Sequence, residues 1–455
     1  MSQRGTARVE TANRAQTSFA MVDLDAALPA DHLARTVVAF VERMDLRPLY
    51  IKIEAREGGA GRPALDPAVL LSLWLYAALD GVGAARTIAR LTETELAYQW
   101  LRGGMSLNYH SLSDFRTTAA LDLDRLLAAS LADLVAEGLV RLDEVLIDGT
   151  KVRAAAGGGS YKTAARLAEM EVATRAHIAE LKAEIDAAPS AGLTRRTAAR
   201  ARAARERLSR VEAAQAMRAT IEAERAARSD HSRDRSKGSD GGGTDGTANN
   251  SGHNAANGEA KASVTDPQAR VMRFADGARA PGYNVQVAAT PVDGFIVAIK
   301  ATDRRNDTDL VAPMVAEVVR LTGFMPVRAV ADQGYASAAD IVALAALDPP
   351  VILYAPVPPD RADIKPQYLK RRERRRALEP QAVKEWRARM MTEAATLKIK
   401  GRKRIELVNA HLKVGDFVRQ VVRGIAKVQA VCVISALAHN LRTAVRLRTN
   451  DACAV

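Results

Sequence analysis

Near the C-terminus, Arg402, Glu406 and Lys413 are separated by three and then six residues. On an α-helix, offsets of four and seven bring side chains onto one face. A carboxylate between two cations on one stripe suits a metal-bound phosphate. Two further carboxylates close apolar runs upstream: Asp148 in VLIDGTKV and Asp332 in VRAVADQGY. Asp, Asp and Glu in that order, on strand, strand and helix, are the layout of a two-metal phosphoryl-transfer site acting on nucleic acid. Such chemistry needs an activated water or hydroxyl, stabilised charge on phosphorus oxygens and help for the departing oxygen. Two divalent ions roughly 3.5–4 Å apart supply all three.

Hard cations such as Mg²⁺ prefer carboxylate oxygen, so Asp148, Asp332 and Glu406 are the candidate catalytic and metal-binding residues. Two Mg²⁺ ions are expected, with Mn²⁺ as a substitute. Asp148 is read as a strand-end bridge between the ions, followed by an Asp-Gly tight turn. Asp332 should end the neighbouring parallel strand, and Glu406 should reach in from a helix. Arg402 and Lys413 would neutralise DNA phosphate, Arg402 in a bidentate way and Lys413 as a point charge. Asn409 on the same face and Lys151 after the first acid complete the candidate DNA-binding set. His411 is a bystander. Each residue alone has a plainer reading: an Asp before Gly is commonly a turn residue. Arg402 and Glu406 could be a helix ion pair worth a few tenths of a kcal/mol.

The elements that must position these residues are legible in outline. Residues 1–20 read as a flexible tail, and 21–140 as a helical domain suited to DNA, with Asp66 and Pro67 opening a helix over 68–79. Arg62, Arg86, Arg90 and Arg102 are its candidate DNA contacts, or ordinary surface cations. Residues 141–160 hold the first core strand (143–148). Residues 161–228 read as a helical hairpin, with Leu167, Met170, Ile178, Leu181 and Ile185 at helical spacing. Pro189 breaks it and Thr194 caps its second helix. Its expected role is a spacer or an oligomer contact. Residues 229–265 read as a disordered loop, with His231 and His253 solvated. The core resumes over 266–358, with strands 283–290, 294–302, 326–332 and 351–355 and helices 309–323 and 337–347. A basic insertion (359–400) leads into the Glu406 helix and a final apolar helix (401–448). Without the insertion, the order is that of a ribonuclease-H-like mixed sheet flanked by helices, an α/β core.

Bulk properties agree. The 455 residues carry 66 Lys and Arg against 53 Asp and Glu, a net charge of +13. Residues 360–405 alone hold 16 basic and 6 acidic residues. A polyanionic partner fits this excess. The two cysteines, Cys432 and Cys453, make neither a disulfide framework nor a cysteine-based zinc site, which fits a reducing cytoplasm. The N-terminus lacks the apolar run of a signal peptide. The apolar runs 69–79 and 428–438 are too short to span a bilayer and read as buried helices, so no membrane partner is expected.

These residues resemble the DDE transposases of bacterial insertion sequences, in the group whose third motif is Tyr-xx-Arg-xxx-Glu-xxxxxx-Lys. The resemblance runs over most of the chain. GRPALDPAVLLSLWLYAALDGVGAARTIARL and YQWLRGGMSLNYHSLSDFR are similar to the group's N-terminal helical domain. LIDGTKV, GYNVQVAAT with Asn306-Asp307, and ADQGY are similar to its core. WRARMMTEAATLKIKGRKRIELVNAHLK with RGIAKVQAVCVISALAHNL is similar to the third-acid region. The resemblance implies that Asp148, Asp332 and Glu406 are the metal-binding triad and Arg402 and Lys413 the signature's basic pair. One departure stands out: Ile399 occupies the Tyr position, which removes a phenol expected to touch DNA. The implied activity is DNA transposition, with double-stranded DNA as partner and a homodimer or higher synaptic multimer pairing the element ends. No covalent enzyme–DNA bond is needed, and no Gly-Lys-Ser/Thr nucleotide motif is present. A nuclease without strand transfer and a catalytically silent DNA-binding derivative are the alternatives.

Overall fold

The computed structural model describes residues 23–55, 63–187, 191–237, 259–358 and 373–453, with the side chains of 191–194, 228–237 and 450–453 left aside. The 1–20 tail, Arg62, Pro189, His253 and the first part of the basic insertion lie outside the described residues, as does the side chain of His231.

Among the described residues, eight helices come first: α1 (Leu24–Ala27), α2 (Leu33–Glu42), α3 (Arg47–Ile51), α4 (Pro67–Leu79), α5 (Ala85–Thr94), α6 (Leu96–Arg102), α7 (Tyr109–Thr118) and α8 (Ala120–Ala136). Asp66 caps α4 as expected, its carboxylate accepting from the Ala68 amide at 2.8 Å, and Pro67 opens the first turn, where a missing N–H costs nothing. α4 is apolar on nearly every side, and Leu70, Leu71, Leu73, Trp74 and Leu75 are all buried. Such a helix belongs in a core. It packs against α2 and against the last helix.

The sheet has six strands: β1 (Glu144–Arg153), β4 (Arg270–Arg273), β5 (Arg279–Ala289), β6 (Ile296–Thr302), β7 (Arg328–Val330) and β8 (Ile352–Tyr354). β5 runs antiparallel to β1, and β6 antiparallel to β5. β7 runs parallel to β1, and β8 parallel to β7. The order is therefore β6, β5, β1, β7, β8, with β4 pairing the start of β5 on the edge β6 uses further along. β5 and β6 read as a hairpin, and the turn closes as expected: the Thr290 amide donates to the Phe295 carbonyl, the Phe295 amide donates to the Thr290 hydroxyl, and Gly294 takes the φ of 77° the turn requires. This is a mixed α/β sheet flanked by helices, an arrangement compatible with a ribonuclease-H-like core.

One strand departs from expectation. Asp148-Gly149 is not a turn. β1 continues through both residues to Arg153, paired with β5 the whole way. The following residues, Thr150 and Val152, are buried, and their burial outweighs the local preference of Asp-Gly for a turn.

After β1, the strand pair β2 (Tyr161–Lys162) and β3 (Ala262–Ser263) forms the base of a hairpin of two helices, α9 (Ala164–Ala187) and α10 (Ala191–Lys237). α10 begins before Thr194, so that residue is not its cap. It also runs ten residues past the expected end at 227, into the segment read as a disordered loop. Leu167 and Leu181 are buried, and Met170, Ile178 and Ile185 pack beside them, in two small apolar clusters separate from the main core.

α11 (Val311–Thr322) covers β6, and α12 (Ala338–Ala345) packs beside β8. α13 (Gln381–Met390) and α14 (Glu393–Gly401) take up much of the basic insertion. Several of its cations are tied inward rather than left free for phosphate: Arg387 to Glu379 at 2.8 Å, Arg389 to the Leu353 carbonyl at 3.1 Å and Lys398 to Glu144. α15 (Lys403–Leu412) lies against β1 and β5. α16 (Ile425–Cys453) packs on β6, α4 and α8. Its Ile425–Thr449 stretch is long and apolar enough to cross a membrane, contrary to the estimate from the shorter run, but 72% of its most apolar window is buried inside the protein. It is a core helix. Asn440 fixes it to the sheet, accepting from the Ile296 amide and donating to the Ile296 carbonyl, each at 2.8 Å.

Candidate active site

The parallel pairing of β1 with β7 sets two of the three acids side by side. Glu144 pairs with Arg328 and Leu146 with Val330. Continued two residues further, the same register brings Asp148 level with Asp332. β7 has ended by then, and Asp332 heads the short 3₁₀ turn Gln333–Tyr335. The end of β7 leaves the Asp148 edge of β1 without a strand partner. α15, packed against β1 and β5, carries Glu406 in its first turn.

The three carboxylates converge on one guanidinium. Arg402 stands 3.6 Å from Asp148, 3.7 Å from Asp332 and 3.0 Å from Glu406. The Glu406 contact is the helix ion pair of the plainer reading, and it coexists with contacts to both strand acids. Among the described residues, no three His, Cys, Asp or Glu side chains are grouped closely enough to chelate one ion. The acids surround a cation instead. Asp332 and Glu406 are 54% and 56% exposed, whereas Asp148 is 20% exposed, so the cluster has one inner and two outer carboxylates. Burial pushes the Asp148 carboxyl above its ordinary range, against the opposing pull of Arg402, the Gly149 amide and Asn409; Asp307 adds to the rise.

Asn409, expected to face DNA, is turned inward in this arrangement. It is buried, and its side-chain amide donates to Asp148 Oδ2 at 2.9 Å. Its own Oδ1 has no partner and is fully enclosed. Lys413 keeps its amide bonded to the Asn409 carbonyl at 3.1 Å. α15 ends at Leu412, and Lys413 follows as a cap with ψ of 40°, exposed and outside the acid cluster. Lys151 turns to the Arg273 carbonyl of β4 at 3.1 Å. Arg402 alone of the expected DNA-binding group reaches all three acids. Ile399, at the Tyr position, packs partly buried against the core.

A second polar layer was not anticipated as part of the site. Asp307 accepts from Asn284 at 2.7 Å and from Gln286 at 2.9 Å. Gln286 in turn accepts from the buried Tyr335 hydroxyl. Tyr335 sits among Asp307, Asp148 and Arg402, and its hydroxyl is pushed well up by burial and then by those carboxylates. The layer leaves no room beside Gly149: a Cβ there would lie 2.5 Å from Asp307 Oδ1. The sequence held a signal for this layer. Asn284 and Gln286 are polar residues two apart in the buried half of β5, among Val285, Val287, Ala288 and Ala289.

Of the other cations named from sequence, Arg86 stacks over Tyr109 and Arg102 pairs with Glu93, while Arg90 is exposed.

Residues 22–118 match the family described as Transposase domain (DUF772). This part of the chain is similar to a transposase domain. The match takes in α1 to α7 and supports a transposase, an enzyme that acts on DNA; the three acids lie beyond it. No curated protein and no solved structure matches the chain.

Proposed function

We propose that the protein is a DDE-type DNA transposase of an insertion sequence, built on a ribonuclease-H-like core. The observation that carries the proposal is the meeting of Asp148, Asp332 and Glu406, from three separate elements, around one positive charge. A cluster that draws a guanidinium has the charge and the oxygen donors to draw divalent ions. The enclosed, unpartnered Oδ1 of Asn409 beside Asp148 adds a further hard donor. In this reading the three acids hold two Mg²⁺ ions, with Mn²⁺ as a substitute. Bound there, the ions would supply Lewis-acid stabilisation and a nucleophile at neutral pH.

The chain's own residues set the geometry. Asn409 fixes the Asp148 carboxylate so that one oxygen faces the cluster. Asp332 and Glu406, on the exposed side, leave room for a DNA strand. Arg402 is freed once other positive charge balances the acids, and its planar fork then grips a phosphate beside the cleaved bond. Lys413, exposed at the end of α15, holds the strand further along. The reaction has two steps. Water attacks phosphorus at an element end, and the 3′-oxygen leaves as a hydroxyl. That hydroxyl attacks a phosphodiester of the target duplex, joining the strands and releasing a target 3′-hydroxyl. Double-stranded DNA is the substrate, and a homodimer or larger multimer pairs the two ends.

The test incubates the protein with labelled inverted-repeat ends, Mg²⁺ and a plasmid target. Joined products are expected. Asp148→Asn, Asp332→Asn and Glu406→Gln should each abolish cleavage while DNA binding persists. Cleavage without joining would make the protein a nuclease. No cleavage, with Asp148→Ala indistinguishable from wild type, would make it a silent DNA-binding derivative.

A further inference from the structure

α10 carries its charge unevenly. Between residues 195 and 210 it holds seven arginines and one acid, Glu206. From 211 to 227, Arg218 and Arg225 stand against Glu212, Glu222 and Glu224. In that balanced stretch the charges pair: Arg218 with Glu222, and Glu212 with Arg175 of α9 at 2.7 Å. In the basic stretch, among the described residues, only Arg200 reaches an acid, Glu184 of α9 at 3.6 Å. Arg195, Arg202 and Arg205 are exposed, and none has an acidic partner among the described residues.

A solvated helix face interleaves opposite charges three and four residues apart. Here those spacings bring like charges together: Arg196 with Arg200, Arg202 with Arg205, and Arg207 with Arg210. Such pairs weaken a helix by a few tenths of a kcal/mol each. An external polyanion converts that repulsion into attraction.

The hairpin is built as a fixed arm. Its apolar contacts form clusters of their own. Its base is locked to the catalytic sheet by the buried Arg270 of β4, which donates to Glu224 of α10 at 2.6 Å and to Asp303 at 3.3 Å. Tyr161 adds a bond to the Ala269 carbonyl at 2.6 Å. At 1.5 Å per residue, Arg202 stands about 33 Å along α10 from the Glu224 anchor. The basic stretch itself is about 22 Å long, roughly six base-pair steps of 3.4 Å.

We propose that the distal half of the hairpin is a DNA arm, whose arginines between 195 and 210 grip the phosphate backbone of duplex DNA away from the acid cluster. This rests on the reading of the chain as a DNA-processing enzyme and adds where the duplex is held. The partner is the backbone of duplex DNA, recognised by charge and not by base sequence.

The experiment compares the full-length protein with a triple variant, Arg195→Gln, Arg202→Gln and Arg205→Gln. Binding to a duplex of about 30 base pairs is followed by fluorescence anisotropy across a salt series. Each lost phosphate contact removes about 0.9 from the slope of log affinity against log salt. The triple variant should lose about 2.7 from the slope and bind at least about tenfold more weakly near 0.1 M salt. Lysine at the same three positions should restore most of the slope, because a point charge suffices there. Light scattering and thermal melting are measured on every variant. Glutamine favours helix, so the fold should persist. An unchanged slope and affinity would overturn the arm while leaving the proposed function intact. A change of oligomeric state with unchanged DNA affinity would assign the arginines to self-association and also overturn it. Wild-type protein that binds no DNA would sink both proposals.

Discussion

Gly149→Ala probes the polar layer behind Asp148. The new Cβ would stand 2.5 Å from Asp307 Oδ1, 2.6 Å from Gln286 Nε2 and 3.0 Å from Asn284 Oδ1. Carbon contacts are comfortable only near about 3.5 Å or beyond. β1 has little freedom to retreat, since Gly149 pairs with Gln286 in the middle of an eight-residue ladder. Relief must come from moving Asp307 and the Gln286 and Asn284 amides together, which strains or breaks the bonds between them. Overpacking costs about 1–3 kcal/mol, and a buried amide left without its acceptor about 1–3 kcal/mol more. Alanine returns at most about 1 kcal/mol by restricting the unfolded chain. The expected net loss is about 1–5 kcal/mol, read from urea midpoints and from a fall in melting temperature. A double-mutant cycle with Asp307→Ala separates this cause from a general strand effect. Removing the carboxylate removes the closest contact and releases the Gln286 and Asn284 amides to shift, so the two losses should be less than additive by about 1 kcal/mol or more. Strict additivity, or a Gly149→Ala protein as stable as wild type, would refute the cradle described above and revive the turn reading of Asp148-Gly149.

Burial holds the Asp148 proton to higher pH in the folded than in the unfolded protein. The associated stability is complete below the ordinary carboxylate range and is lost as pH rises through the raised native value. Metal-free Asp148→Asn should therefore be more stable than wild type at neutral pH, with no gain near about pH 3, as urea titrations at the two pH values would show. His439 behaves oppositely. Burial lowers its imidazole to about 4, so its contribution is present above about pH 6.5 and is lost as pH falls towards 4. The loss is about 3 kcal/mol, and His439→Gln should flatten the stability difference over that interval. Arg402→Met should lower the melting temperature without metal, because three carboxylates lose their shared cation. It should also enlarge the stabilisation given by Mg²⁺, because the guanidinium no longer competes. A smaller Mg²⁺ shift than in wild type would contradict that competition.

The element order and the apolar spacing of the hairpin were readable because burial imposes periodicity. Leu167, Leu181 and the β5–β6 pair fall where that periodicity puts them. The Asp66-Pro67 start of α4 follows from local backbone chemistry alone. Asp148, Asp332 and Glu406 stood out as acids attached to apolar elements. Their convergence could not be read from the chain. It depends on a parallel register between strands 184 residues apart and on the packing of α15 against β1 and β5.

Chain-wide packing also overruled local signals. Asp-Gly favours a turn, yet Thr150 and Val152 are buried and hold the strand straight through it. Helical spacing put Arg402, Asn409 and Lys413 on one stripe. Burial turned Asn409 towards Asp148, and of these three Arg402 pairs with all three acids. Asp307 carried no local mark of its role, because its partners lie on β5, some twenty residues earlier. Sequence by itself determined which residues have the charge and chemistry for phosphoryl transfer, since side-chain type and periodicity are local properties. Only the tertiary structure decided which of them share one electrostatic field, since that depends on distances set by packing between remote segments.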